Sequence, residues 1–142
     1  MAEQASYCIS ELDVGMTASF TKTVTEKDVA AFAEVSGDDN PVHLDDEYAA
    51  GTIFKGRIAH GMLTGSFIST VIGTRLPGNG TIYMSQSLRF RAPVMLGDTV
   101  EATVEVTKID RERRRVTLAC ACMVEGKPVL DGEAEVMVPA KR

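Results

Sequence analysis

Between Ser36 and His43 the chain carries a carboxylate, an amide and an imidazole: Asp38, Asn40 and His43. A carboxylate and an imidazole side by side can hold a water molecule and move its protons, the basis of general acid–base chemistry near neutral pH. On a helix the spacing of Asp38 and His43 would turn them to different faces. Gly37 and Pro41 argue against a continuous helix here, and Pro41 pushes Asn40 toward an extended backbone. The stretch reads as a bent loop whose two ends converge, a common setting for catalytic groups. An ordinary reading stands beside it: Asp38 in an Asx turn, and Asn40-Pro41 as the start of a turn.

The elements around this loop must hold it rigid. Thr25-Glu26-Lys27-Asp28 is a helix start with Thr25 as N-cap, Val29, Phe32 and Ala33 follow at helical spacing, and Gly37 ends the helix. After His43, Asp45 to Gly51 reads as a second short helix, capped by Asp45 with acids in its first turn. Thr52 to Ala59 is a connection carrying Phe54, Lys55 and Arg57, the residue types of a substrate rim. From Gly61 to Thr74 there is no charged residue. The run is too short for a membrane span and is expected as a helix buried on nearly all sides. Gly61 opens it, where backbone N–H groups are unpaired, the helix dipole is positive and no side chain blocks approach. Gly61, Gly65 and Ser69 follow one line along this helix, and small residues there would leave space for a ligand. His60 precedes the helix start, where capping or packing is at least as good a reading as catalysis.

A first strand is read at 16–24, ahead of the helices; beyond Leu76-Pro77-Gly78-Asn79-Gly80 the pattern changes to strands at 82–91, 99–108, 115–124 and 129–138, with turns between them. The reading is α+β: a single hot-dog domain over 1–142, an antiparallel sheet wrapped around one central buried helix. Residues 1–12 are either an ordered lead-in or a mobile tail.

Composition excludes several classes. The chain has 142 residues, 44% hydrophobic and 25% charged, with a net charge of −5. That balance is ordinary for one globular domain and argues against a basic nucleic-acid surface. Neither nucleic acid nor membrane is expected as a partner. Cys8, Cys120 and Cys122 are odd in number and lack metal spacing, so neither a disulfide framework nor a zinc site is expected. No signal peptide is recognisable in the first residues, and the expected location is cytoplasmic.

The Ser36–His43 stretch resembles the hydratase signature of the MaoC-like family, in particular its (R)-specific enoyl-CoA hydratases: a small residue, Gly-Asp, a variable residue, Asn-Pro, an apolar residue, His. The resemblance continues through Ile58-Ala59-His60-Gly61-Met62-Leu63 and Ile82-Tyr83-Met84-Ser85-Gln86-Ser87-Leu88-Arg89-Phe90, in the family's order. It implies a homodimer with the substrate tunnel near the interface. It also implies reversible hydration of trans-2-enoyl-CoA to (R)-3-hydroxyacyl-CoA, a source of polyester precursors, with no cofactor and no metal.

Such a reaction needs an activated water, a proton for the α-carbon, and a donor to the thioester oxygen, which gains negative charge. Asp38 and His43 would share one water, with His43 favoured as base and Asp38 as manager of the α-proton, or the reverse. The resemblance gives Gly61 N–H as oxyanion donor, Ser69 as a hydrogen-bonding support near Asp38, and Asn40 as a shaper of the loop. Leu44, Tyr48 and Phe54 are candidates for the acyl pocket. Lys55, Arg57, Arg89 and Arg91 are candidates for the coenzyme A phosphates, although Arg89 and Arg91 equally suit a solvent-facing strand. Alternatives are a dehydratase acting on acyl carrier protein, a thioesterase, and a non-catalytic acyl-CoA-binding protein. The absence of Asp and Glu from Gly61 to Leu76 counts against a thioesterase or a carrier-protein dehydratase with its carboxylate on the central helix, and leaves open dehydration of a carrier-protein substrate by the same Asp38 and His43.

Overall fold

The computed structural model describes residues 4–141. Its elements run β1 (Thr17–Thr23), α1 (Glu26–Ser36), α2 (Pro41–Leu44), α3 (Asp46–Ala50), α4 (Gly61–Thr74), β2 (Ile82–Gln86), β3 (Arg89–Phe90), β4 (Thr99–Asp110), β5 (Arg115–Val124) and β6 (Lys127–Met137). The strands form one antiparallel sheet in the order β1-β4-β5-β6-β2, with β3 also on β6. Alternation puts Val100, Ala102, Val104 and Val106 of β4 and Val116, Leu118, Cys120 and Cys122 of β5 on one buried face. Across that face lies α4, packed on β1, β4 and β5 and burying Leu63, Phe67, Ile68, Val71 and Ile72. This is the sheet-around-helix arrangement expected of the hot-dog fold. Among the described residues no helix is long and apolar enough to cross a membrane.

Local signals explain the boundaries. Thr25 Oγ1 accepts from Asp28 N–H at 3.1 Å and Asp28 Oδ2 accepts from Thr25 N–H at 3.0 Å, a reciprocal cap on α1. Gly37 ends α1 at φ +82°, a left-handed turn that suits glycine. Asp45 Oδ1 accepts from Tyr48 N–H at 3.0 Å and starts α3.

Three expectations change. The segment 38–43 is not loop throughout: Pro41 sits in the first turn of the one-turn helix α2, and Asn40 Oδ1 caps it by accepting from Val42 N–H at 3.1 Å. The strand expected at 82–91 divides into β2 and β3. It bends at Ser87, whose carbonyl crosses so close to Gly132 that a Cβ there would lie 1.8 Å from it. Of the two readings for the lead-in, residues 4–12 follow the ordered one. Cys8, Ile9 and Leu12 are buried. Ala5 N–H bonds to Thr74 O, Tyr7 N–H to Pro77 O and Ile9 N–H to Pro139 O. Residues 1–3 lie outside the described part.

Candidate active site

Asp38 lies just past the glycine that stops α1. Its N–H donates to Ser36 Oγ at 3.1 Å, and its Oδ1 accepts from Asn40 N–H at 3.3 Å. The Asx turn therefore does form, and it uses one carboxylate oxygen only. His43 is carried on α2 and is 8% exposed. Its Nδ1 lies 2.8 Å from the carbonyl of Ile58. A carbonyl can only accept, so Nδ1 carries the proton and Nε2 of the neutral ring keeps a lone pair.

The backbone under His43 is bolted down by Arg57. Its Nε donates to His43 O at 2.7 Å, and its Nη1 donates to Glu26 Oε1 at 2.9 Å. Arg57 is 9% exposed. Its charge is spent inside the protein, so the expectation of Arg57 as a phosphate ligand is corrected.

His60 touches both residues. Its side chain does not cap α4. Nε2 donates instead to the carbonyl of Asp38 at 2.8 Å, and the ring stacks on His43 with centroids 3.9 Å apart. A ligating atom from each of Asp38, His43 and His60 lies within 4.8 Å of the others. That spacing lets one water bridge Asp38 and His43 with ordinary bonds of about 2.7–3.0 Å. These three are also the residues nearest to a metal-ligand set. However, near-parallel rings send their lone pairs alongside each other rather than toward one ion about 2 Å from both.

These groups open on a cavity of about 570 Å³. One wall is Asp38, His43, His60, Gly61 and Thr64; the others include Phe54, Ile58, Met62, Phe90, Arg91, Val94, Val129 and Leu130. Gly61 is the first residue of α4, where its N–H has no partner within the helix. A Cβ on Gly61 would lie 2.6 Å from Cε1 of Phe90, and one on Gly65 would lie 3.2 Å from Leu88. The space beside Gly61 and Gly65 is taken up by the side chains of Phe90 and Leu88. Thr64 is 2% exposed, and its hydroxyl has no hydrogen-bond partner among the described residues.

Sequence reasoning brought Asp38, His43, Gly61, Phe54 and Arg91 to the same cavity. It did not bring all its candidates there. Ser69 is exposed and makes no hydrogen bond to Asp38 among the described residues. It stands two helical turns beyond Gly61, about 12 Å along the axis. Leu44 packs against the core. Tyr48 is 54% exposed on α3, outside the lining. Lys55, in a left-handed turn at φ +62°, and Arg89 are exposed and also outside it. Arg91 lines the cavity but is paired in bidentate fashion with Asp131, at 3.0 and 3.1 Å. Sequence reading missed Thr64 and the sheet wall of Val94, Val129 and Leu130. Nothing but their apolar or small side chains marks them in the sequence, which suits core packing equally well.

Comparison with known proteins identifies the family. Residues 10–124 match the family model described as MaoC like domain. An (R)-specific enoyl-CoA hydratase of Rhodospirillum rubrum is 54% identical over 131 residues, 92% of this chain and 91% of that protein. A 3-hydroxybutyryl-CoA dehydratase of Methylorubrum extorquens is also 54% identical, over 92% of this chain and 83% of that protein. The unliganded R-hydratase of Pseudomonas aeruginosa superposes with a TM-score of 0.93 at 50% identity, covering 98% of this chain and 90% of that one.

Proposed function

The chain belongs to the MaoC-like domain family, and we propose that it is an (R)-specific enoyl-CoA hydratase, interconverting trans-2-enoyl-CoA and (R)-3-hydroxyacyl-CoA. The observation that supports this reading is that Asp38, His43 and Gly61, the first residue of α4, line one cavity.

The water bridging Asp38 and His43 loses a proton to His43 Nε2 as its oxygen attacks C3. The electron pair of the C2=C3 bond moves toward the thioester, whose oxygen becomes negative and is met by Gly61 N–H at the positive end of α4. The proton is returned to C2, with Asp38 managing the transfer. The sum is one H and one OH added across the double bond, with no cofactor and no metal called for. Asn40 holds the turn that aims Asp38. Arg91, with Arg89 and Lys55 nearby in sequence to lining residues, are the cations proposed for the coenzyme A phosphates.

A homodimer is part of the proposal. β2 is an edge strand, and its Ile82, Tyr83 and Met84, together with Met62 and Phe90, are large apolar residues left exposed. An unpaired apolar edge of this kind favours pairing with a second copy. Light scattering on the eluted protein tests it, and a monomer at micromolar concentration would refute it.

The test of function is direct. Purified protein is mixed with crotonyl-CoA, and loss of the conjugated enoyl absorbance is followed with a coupling dehydrogenase accepting only the (S)-alcohol. Fast loss without a coupled signal is expected. Fast loss with the signal would overturn the stereochemistry. Turnover only of a crotonyl carrier protein would overturn the coenzyme A assignment, and binding without turnover would make the chain an acyl-CoA-binding protein.

A further inference from the structure

We infer that His60 is a positioning residue: protonated at Nε2, it holds the backbone of Asp38 and the face of His43 in working geometry together. The inference rests on the hydratase reading and extends it to a residue with no assigned role in that reaction.

Two contacts carry it. His60 Nε2 lies 2.8 Å from Asp38 O, across 22 residues of chain. The acceptor is a carbonyl, so the proton must sit on Nε2. The ring lies on His43 at 3.9 Å and 26°, with Phe32 against it at 4.9 Å and 54°. His60 is 2% exposed, so neither contact is shared with solvent. His43 is thereby fixed along two directions: its Nδ1 by the Ile58 carbonyl and its face by His60. Asp38 is fixed at three atoms: its N by Ser36, Oδ1 by Asn40 and O by His60. Any flat apolar ring would fill the slot between Phe32 and His43. Only a ring with a donor at its far corner would also tie down Asp38. With Nε2 so used, Nδ1 holds the lone pair and has no hydrogen-bond partner among the described residues. The tautomer is therefore set by Asp38, the residue it positions.

Two variants separate the contacts. His60→Phe keeps the flat ring and loses the donor. His60→Gln keeps a donor near Nε2 and loses the ring. Because misplacing a reacting group costs on the order of a hundredfold, each variant is expected to lower kcat for crotonyl-CoA by about that factor. KM should change little, and cooperative unfolding should persist. Both variants retaining kcat within about threefold would overturn the inference. So would loss of cooperative unfolding in both, which would make His60 a residue of the fold alone.

A second measurement does not depend on turnover. The chain contains two histidines, so imidazole nitrogen NMR resolves each. His43 is expected protonated at Nδ1 and His60 at Nε2. His60 found protonated at Nδ1 would overturn the inference even in a fully active enzyme. A wild type that turns over no enoyl thioester, yet shows both expected tautomers, would refute the hydratase reading and leave the arrangement around His60 standing.

Discussion

Arg57 Nε donates to the main-chain carbonyl of His43 at 2.7 Å, so a buried cation joins the 52–59 connection to the helix that carries the reacting imidazole. Replacing it as Arg57→Met removes the donor and leaves a buried carbonyl unpaired, at a cost of about 1–3 kcal/mol. The other partner, Glu26, is largely exposed and adds little. Urea unfolding should read that loss. In the assay, kcat should fall while KM for the coenzyme A thioester holds. A large rise in KM alone would restore Arg57 as a phosphate ligand.

Asp38→Asn and His43→Gln keep size and remove acid–base capacity. Each is expected to lower kcat by about 10²–10⁴, the usual range for a general acid or base. Circular dichroism should be unchanged, because Asn retains an oxygen for the Asx turn and Gln fills the same space. Retained turnover in either variant would move the chemistry elsewhere in the cavity.

Gly61→Ala places a methyl group against the Phe90 ring, in the position 2.6 Å from its Cε1. Turnover should fall, because the ring and the methyl then crowd the N–H that receives the thioester oxygen. The clash is with a side chain, so the second substitution Phe90→Ala should restore part of the loss. Kinetics on the two single variants and the double variant read the coupling, expected at about 0.5–3 kcal/mol for groups in contact. Strict additivity would deny that Phe90 and Gly61 share the oxyanion position.

Burial pushes the Cys120 thiol up to about 11 and, with Cys120 nearby, the Cys122 thiol up to about 12. An unfolded thiol titrates near 9.0. Above that pH the unfolded chain releases protons that the folded chain keeps, so it binds fewer and stability falls as pH rises. Below pH 9 this contribution is constant. Urea unfolding between pH 7 and 10.5 should show the decline beginning near 9, and Cys122→Ala should make it shallower. An unchanged slope would place the alkaline sensitivity in other groups.

The architecture was legible because its signals are local: the reciprocal cap at Thr25 and Asp28, the charge-free run of α4, the period-two rows of β4 and β5. That Asp38, His43 and Gly61 line one cavity was legible from their surroundings: His43 is one of two histidines, Gly37 and Pro41 break the chain around Asp38, and Gly61 opens the charge-free run. Arg57 was misread for a physical reason. A guanidinium in a connection looks the same whether it awaits a phosphate or has already found Glu26 and a carbonyl. His60 was underread for the converse reason, since its partners are a backbone oxygen and the face of another ring, which leave no pattern at fixed spacing. Ser69 lies on the line of Gly61 and Gly65, but two turns of rise separate it from Gly61 at the cavity end of α4; its place beside Asp38 came from the resemblance and has no hydrogen bond behind it among the described residues.

The cavity is built from two parts of the chain, the 38–64 segment and residues 90–94 and 129–130. Asp38, His43, His60 and Gly61 are contributed by one contiguous segment, tied by hydrogen bonds that span 15 and 22 residues. Phe90, Val94, Val129 and Leu130 arrive from strands and loops far along the sequence. Part of the wall can therefore be changed far in sequence from Asp38 and His43. Resizing Val129 or Leu130 can retune which acyl chains fit without disturbing the water-activating pair, so a library confined to the sheet wall would explore substrate length on a fixed chemical engine.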